Sequence, residues 1–273
     1  MTDQGERYDR VAAGYAQWWA PVLERRAIGL LDRAEAAVDA GARRLIDIGT
    51  GTGTLARAAL RRWPAVEVTG IDLSAGMIAA AETEADRLLA PDERRRFTTR
   101  VAPADGLPFD DGAFDAAMSS FVLQLVPNRF RALREIHRVL RPGGTLAYVT
   151  WLIDDRVFRP DVEFDALLDD IGIGAREPDG RPGDIPSTDA AAAQLRRAGF
   201  GRVEVERAIL DHRFTVEGYV RFLAEFDEED LISNLSAGER DRLLDGLRGR
   251  LTRFPPSDLV LRYPIVYARG IRP

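Results

Sequence analysis

The sequence predicts an α/β fold with a parallel sheet and helices on both of its faces, and three observations carry that prediction. Strand-like and helix-like segments alternate from residue 44 to residue 151, the order that winds helices around a parallel sheet. The runs LIDI at 45–48 and LAYVTW at 146–151 are apolar without alternation, as strands buried on both faces are. Between the first of them and the helix that follows lie Gly49, Gly51 and Gly53, a backbone that turns sharply and lets a ligand lie against it.

The elements follow in order. Residues 21–40 carry Val22, Leu23, Ala27, Leu30, Leu31, Ala34 and Val38 at helical spacing, which predicts one leading helix ending before Gly41. Strands are expected at 44–48, 66–71, 97–102, 114–120 and 145–151, and helices at 53–62, 74–89 and 128–140. The sequence RPGG at 141–144 closes the last of these helices and turns the chain into the strand at 145. Past Trp151 the pattern loosens into a helix at about 161–171 and a Gly/Pro/Asp-rich loop up to 186. Ser187 and Asp189 open a helix that Gly199 stops, and GRVEVERAILDHRF then reads as a strand. A second helical insertion occupies about 215–254 before the final strand, 259–271, where Pro264 predicts an edge or a bulge. The arginines at 94–96 read as a solvated lead into the third strand.

Composition narrows the function classes. With 273 residues, 45% of them apolar, the chain is long enough for one large domain with insertions. A net charge of -6 argues against nucleic acid as a partner. There is no cysteine, which excludes thiolate nucleophiles and cysteine-held metals, and no metal site is expected. All 38 basic residues are arginine, which excludes Schiff-base chemistry and a lysine base. No segment reaches the roughly 18 apolar residues of a spanning helix, and the first thirty residues contain no signal-peptide core. A cytoplasmic protein with no membrane partner is the expectation.

The loop and a second strand, VEVTGIDL at 66–73, together point to a nucleoside-like cofactor. That strand ends in Asp72 at the spacing where nucleotide folds hold a ribose, whose two hydroxyls a carboxylate accepts together. A dinucleotide fingerprint, GxGxxG, requires glycine at position 54, where this chain has Thr54.

The GxGxG register, with Asp47 two residues before it, resembles motif I of the class I S-adenosylmethionine-dependent methyltransferases. GIDLSAGMI at 70–78 resembles the segment after the family's second strand, and VAPADGLPFDDGAFDAAMSS at 101–120 its adenine loop and fourth strand. FVLQLVPNRFRALREIHRVLRPGGTLAYVTW is similar to the lead into its fifth strand. The resemblance covers about residues 7–151 and is most like the small-molecule methyltransferases of ubiquinone and menaquinone biosynthesis. It implies a doubly wound, Rossmann-like sheet of seven mostly parallel strands with the last antiparallel, and S-adenosyl-L-methionine as cofactor. The implied division is a single domain, 1–273, with a helical lid at 1–40, a cofactor core at 41–151, and insertions at 152–186 and 215–257 forming a substrate cap.

Carried over residue by residue, the resemblance places the amides of Gly49, Thr50 and Gly51 against the methionine portion. Asp72 takes the ribose, Asp105 and the Gly106 amide take the adenine edge, and Ala104 borders the ring. Leu73, Met77 and Phe121 supply apolar walls, each of which an ordinary core would also use. Asp47 reads equally as a contact to the cofactor's amino group and as a carboxylate bracing the loop. Ser74 reads as the cap of the helix at 74–89, and DDG at 110–112 as a turn. In YDRVAAGYAQWW, Tyr8, Tyr15, Trp18 and Trp19 resemble a segment that folds over the cofactor, with Tyr15 near the sulfonium and Trp18 and Trp19 reading equally as substrate pocket and as core; a helix that simply packs its aromatic face is the alternative.

Methyl transfer needs in-line positioning and exclusion of water more than covalent chemistry. No catalytic residue is assigned. Of the two histidines, His137 reads as a packed helix residue, and His212, beside the second insertion, is the weak candidate for a base. Asp154 and Asp155 read as loop caps. Tyr219, Phe222, Phe226 and Phe158 are candidate pocket walls, with core packing as the alternative. The expected function is methyl transfer to a small-molecule acceptor, with its oxygen, nitrogen or carbon unspecified; an NAD-linked oxidoreductase and a non-catalytic cofactor-binding module are the alternatives.

Overall fold

The computed structural model describes Asp9, residues 12–174 and residues 183–273; Tyr8 lies outside them, as does the middle of the loop after the helix at 161–171. Among the described residues, strands β1 (Arg44–Ile48), β2 (Glu67–Asp72), β3 (Phe97–Val101), β4 (Phe114–Ser120), β5 (Leu140–Trp151), β6 (Gly201–Arg213) and β7 (Val260–Ile271) form one sheet in the order β3-β2-β1-β4-β5-β7-β6. Neighbours from β3 to β5 run parallel, and β7 is antiparallel to both β5 and β6. The predicted doubly wound sheet, antiparallel last strand included, is the one observed.

Burial on both faces follows from the apolar strands. Leu45 and Ile46 are adjacent and fully buried, yet they belong to different cores, because successive strand side chains point to opposite faces. Leu45, Val68, Met118 and Val149 face helices α1 (Ala20–Ile28), α2 (Leu30–Asp39) and α3 (Thr54–Arg62), whose Leu23, Leu31 and Leu60 share that core. Ile46, Ile71 and Tyr148 share the other with Leu133 and Ile136 of α5 (Arg129–Val139) and Leu195 of α7 (Thr188–Ala198). Helix α4 (Ala75–Leu88) follows β2, and α6 (Arg159–Asp170) follows β5. Ser74, Asn128 and Ser187 accept the amide three residues on, at 2.9, 3.0 and 3.1 Å, which ends each orphan donor and stabilises each helix by about 1 kcal/mol.

Three expectations need correction. The leading helix is two helices, α1 and α2, broken at Gly29. The break falls where the Tyr267 hydroxyl donates to the Arg26 carbonyl at 2.7 Å, and a Cβ on Gly29 would stand 3.0 Å from that hydroxyl. Strand β5 begins at Leu140 rather than 145, because RPGG is a β-irregularity against β4 and not a separate turn. Pro264 does not mark an edge: β7 lies between β5 and β6, with Pro264 opposite Ile209. Its carbonyl accepts from Leu152 N at 3.0 Å, so its missing N–H faces the β5 side, beyond Trp151 where that strand has ended.

The second insertion is a run of short helices. Helix α8 (Val216–Phe222) passes into a π-helical turn, Leu223–Asp227, and α9 (Ala237–Leu251) packs against α6. Tyr219, Phe222, Leu223 and Phe226 are all buried there. No helix among the described residues is long and apolar enough to cross a membrane.

Candidate active site

Strand β1 leads into a loop whose Gly49, Gly51 and Gly53 have φ of 69°, 54° and 79°, a left-handed backbone that side chains disfavour. At Gly49 space forbids one as well, since a Cβ would lie 2.2 Å from the Val122 side chain. The loop is braced from beneath. Asp47 is buried and accepts the Thr50 hydroxyl at 2.8 Å, Thr50 N donates to the Ile71 carbonyl at 2.7 Å, and the buried Arg57 guanidinium donates to the Thr52 carbonyl. Burial pushes the Asp47 carboxyl up to about 7 against the pull of the Thr50 bond.

Strand β2 delivers Asp72 to the same place. One of its oxygens accepts Gly51 N at 2.9 Å and the other accepts Ser74 N at 3.0 Å, so this carboxylate ties the glycine loop to the start of α4. Burial raises its carboxyl above the usual range even though these amides favour the charged form. Each oxygen has a second lone pair for an outside donor.

A cavity of about 270 Å³ opens at the carboxyl ends of β1, β2, β4 and β5. Tyr15, Gly49, Gly51, Asp72, Leu73, Met77, Ala104, Asp105 and Phe121 line it, so nine of the sequence-derived positions meet on one wall system. Asp47 and Thr50 stand behind the loop instead, on a recess of about 40 Å³ that also holds Glu24 and shares Tyr15 and Gly49 with the large cavity. The bracing role read for Asp47 is the one its hydrogen bond performs. Gly106 is next to the cavity without lining it, and its amide donates to the Pro103 carbonyl at 3.3 Å. His212 lies elsewhere: it pairs with Leu261 in the β6–β7 ladder and sets its ring edge-on to Phe214 at 4.6 Å, with burial pulling its pKa down. His137 packs edge-on against Phe200 at 5.1 Å, as a helix residue in a core does. Asp154 pairs with Arg156 at 3.0 Å.

The sequence reading missed Val122 and residues 124–127 and gave Trp151 no role beyond ending its strand, although all of them line the cavity. A signal was present, since Gln124 interrupts an apolar run immediately past a parallel strand's carboxyl end. Gln124 donates to the Phe121 carbonyl and accepts the Thr150 hydroxyl, both at 2.7 Å, which fixes the floor. Phe121 has φ 55°, a strained conformation for a bulky residue, and it sets the ring 4.6 Å from Trp151. Asp72, Asp105, Gln124 and the hydroxyl groups of Tyr15, Ser74 and Ser120 are among the polar side chains of a mostly apolar lining.

Of the described amino-terminal residues, Tyr15 and Trp19 line this opening. Asp9 accepts Ser74 Oγ at 2.5 Å and Gly76 N at 2.8 Å at the start of α4. Residues Tyr15–Trp19 form a π-helical turn facing the one at Leu223–Asp227, where Trp18 Nε1 donates to Glu225 at 2.5 Å. Gly14 makes the approach possible, for a Cβ there would stand 1.9 Å from the Glu225 carbonyl oxygen. Gly14→Ala should therefore lift this segment, and limited proteolysis should cut the variant near its amino terminus faster than the parent while the sheet's far-UV circular dichroism is unchanged.

Residues 46–148, which contain the loop, Asp72 and the Asp105 segment, match the family described as a methyltransferase domain. By this match the stretch 46–148 is a methyltransferase domain. Over 109 residues this domain is 43% identical to a ubiquinone/menaquinone biosynthesis C-methyltransferase, UbiE, of Geobacter sp. (strain M21), covering 39% of this chain and 44% of that protein. Over 163 residues the identity is 34% to a malonyl-[acyl-carrier protein] O-methyltransferase of Geobacter sulfurreducens, covering 59% and 57%. The chain thus spans about half the length of the curated relatives it matches. Among solved structures, the [4+2]-cyclase SpnF superposes with a TM-score of 0.61 at 22% identity, covering 98% of this chain and 94% of that one. The Haemonchus contortus phosphoethanolamine N-methyltransferase 2 bound to S-adenosyl-L-methionine gives 0.60 at 19%, covering 100% and 60%. The likenesses to solved structures concern the fold, which hosts different chemistries in these neighbours.

Proposed function

We propose that this protein transfers a methyl group from S-adenosyl-L-methionine to a small-molecule acceptor. The observation that carries the reading is Asp72, which joins the glycine loop to α4 while lining the cavity, inside the residues that match the methyltransferase domain. The residues present fit that cofactor. Asp72 offers free lone pairs to two ribose hydroxyls; Leu73, Met77 and Ala104 form an apolar slot for the adenine with Asp105 at its edge. The recess with Asp47 and Glu24 suits the ammonium of an amino-acid tail passing Gly49 and Gly51. Asp47 and Thr50 act by holding the loop, and the Gly106 amide exchanges the Pro103 carbonyl for a ring nitrogen.

When bound, the cofactor supplies an electrophilic methyl on a sulfonium. The chain's own part is to place that methyl before Tyr15, Phe121 and Trp151, whose rings stabilise positive charge and exclude water, so that an acceptor in the outer cavity approaches in line. His212 has no place in this arrangement. In domain terms, residues 41–151 bind the donor, 1–40 close over it, and the insertions 152–186 and 215–257 select the acceptor.

The family match is to a methyltransferase domain, and the register at Thr54 is not that of a dinucleotide fold, so the NAD-linked alternative lacks support. Calorimetry tests the choice: S-adenosylhomocysteine should bind one per chain, and NAD should give no saturable heat. Binding of NAD without S-adenosylhomocysteine reverses the assignment.

A further inference from the structure

A bulky residue at φ 55°, as Phe121 is, keeps that strain only where its neighbours over-determine it. Its N–H donates to the Val149 carbonyl at 2.9 Å, which anchors it to β5. With that end fixed, a return of φ to negative values would swing the Phe121 ring and the chain after it, Val122 first. Val122 has no freedom to follow. Its side chain lies 2.2 Å from where a Gly49 Cβ would stand, so the conformation of Phe121 decides how Val122 meets the glycine loop.

Gln124 holds the other end of Phe121. Its amide nitrogen donates to the Phe121 carbonyl, which can only accept, and its amide oxygen is thereby left to take the hydroxyl of Thr150, fully buried in β5. The exit of the first insertion packs on the same residue. A Cβ on Gly183 would stand 1.7 Å from the Gln124 carbonyl oxygen, and Ile185 N donates to the Trp151 carbonyl at 3.0 Å. We propose that Gln124 is a positioning residue for the donor: by clamping Phe121 in the left-handed region it keeps Val122 against Gly49, so that the donor site is formed before the ligand arrives. Without the clamp the loop relaxes in the free protein and must be rebuilt on binding, which lowers the apparent affinity by the fraction of molecules still in the binding conformation. The inference deepens the methyl-transfer reading and rests on it for the identity of the donor.

The test is a double-mutant cycle on S-adenosylhomocysteine affinity, measured by calorimetry on the full chain with thermal unfolding beside it. Gln124→Met keeps the length of the side chain and removes both hydrogen bonds. In the parent it should weaken S-adenosylhomocysteine at least about fivefold, the factor that left-handed strain in a bulky residue corresponds to. Glycine bears no such penalty, so with Phe121→Gly already in place the same change should cost less than about twofold. A residue that merely packs would lose the same factor in both backgrounds. Thr150→Val, which takes away the hydroxyl that orients the amide, should repeat the pattern in weaker form, whereas Thr150→Ser should keep the parental affinity; these two decide the matter if Gln124→Met does not fold. Equal losses in the two backgrounds, or no loss in the parent, overturn the clamp and spare the donor assignment. Failure of the parent chain to bind S-adenosylhomocysteine overturns the donor assignment and the clamp with it.

Discussion

Asp72→Ala should lower the affinity for S-adenosylhomocysteine by at least about a hundredfold. The figure follows from two hydroxyl bonds to a charged acceptor, each contributing about 1.5–3 kcal/mol. The substitution also frees Gly51 N and Ser74 N, now 2.9 and 3.0 Å from the carboxylate, so the loop loses its tie to α4. Asp72→Asn separates the two effects, since its amide oxygen still accepts one backbone N–H while the ribose loses a charged partner. Calorimetry on both variants, with thermal unfolding as the control for the fold, decides the matter. Retention of parental affinity by a folded Asp72→Ala protein would remove the basis of the cofactor assignment.

The second large effect concerns pH. Asp47 has an ordinary value of 3.8 when exposed and titrates at about 7 in the folded chain. A carboxyl raised in this way contributes stability that is fully present below 3.8 and is lost as pH rises through 7, because the folded state must then hold a buried charge. The loss reaches up to about 4 kcal/mol above neutrality. His137 and His212, both pulled down by burial, act in the opposite sense up to their unfolded value of 6.5, so the raw curve mixes the terms. The difference between the parent and Asp47→Asn isolates the carboxyl. Urea unfolding should show the two proteins diverging between pH 4 and pH 7, with the variant the more stable at pH 8. Thr50 can turn its hydroxyl to accept from the new amide, so the brace survives the change. Parallel stability curves across that range would show that Asp47 does not titrate there.

What the sequence disclosed and what it withheld divide along a physical line. The strands of the core were legible because burial on both faces leaves an unbroken apolar run, as in LIDI, and because Gly49 and Asp72 sit at positions where only a few residue types work. Local signals also sufficed for Ser74 and Ser187, whose side chains cap the next helix wherever the rest of the chain goes. Long-range placement did not reveal itself. Pro264 reads as an edge residue until β5 is seen to stop at Trp151, and Gly29 reads as helix interior until Tyr267, far along the chain, donates its hydroxyl to Arg26. The cap aromatics illustrate the same limit: helical spacing cannot distinguish a core from a cavity wall, and Phe222 and Tyr219 are both at once. His212 stands out by the rarity of histidine and by its place beside the second insertion, whereas its ladder partner Leu261 is set by β7.

The approach of Gly14 to Glu225 has a kinetic consequence. In the proposed reading the segment that lines the donor cavity with Tyr15 and Trp19 also rests, at Gly14, on the Leu223–Asp227 turn of the second insertion, so donor and acceptor would not have independent doors. An acceptor seated under the cap would hold the amino-terminal segment down and trap whatever lies beneath it. Turnover should then follow a compulsory order, the donor entering first and its demethylated form leaving last, with product inhibition competitive toward the donor only.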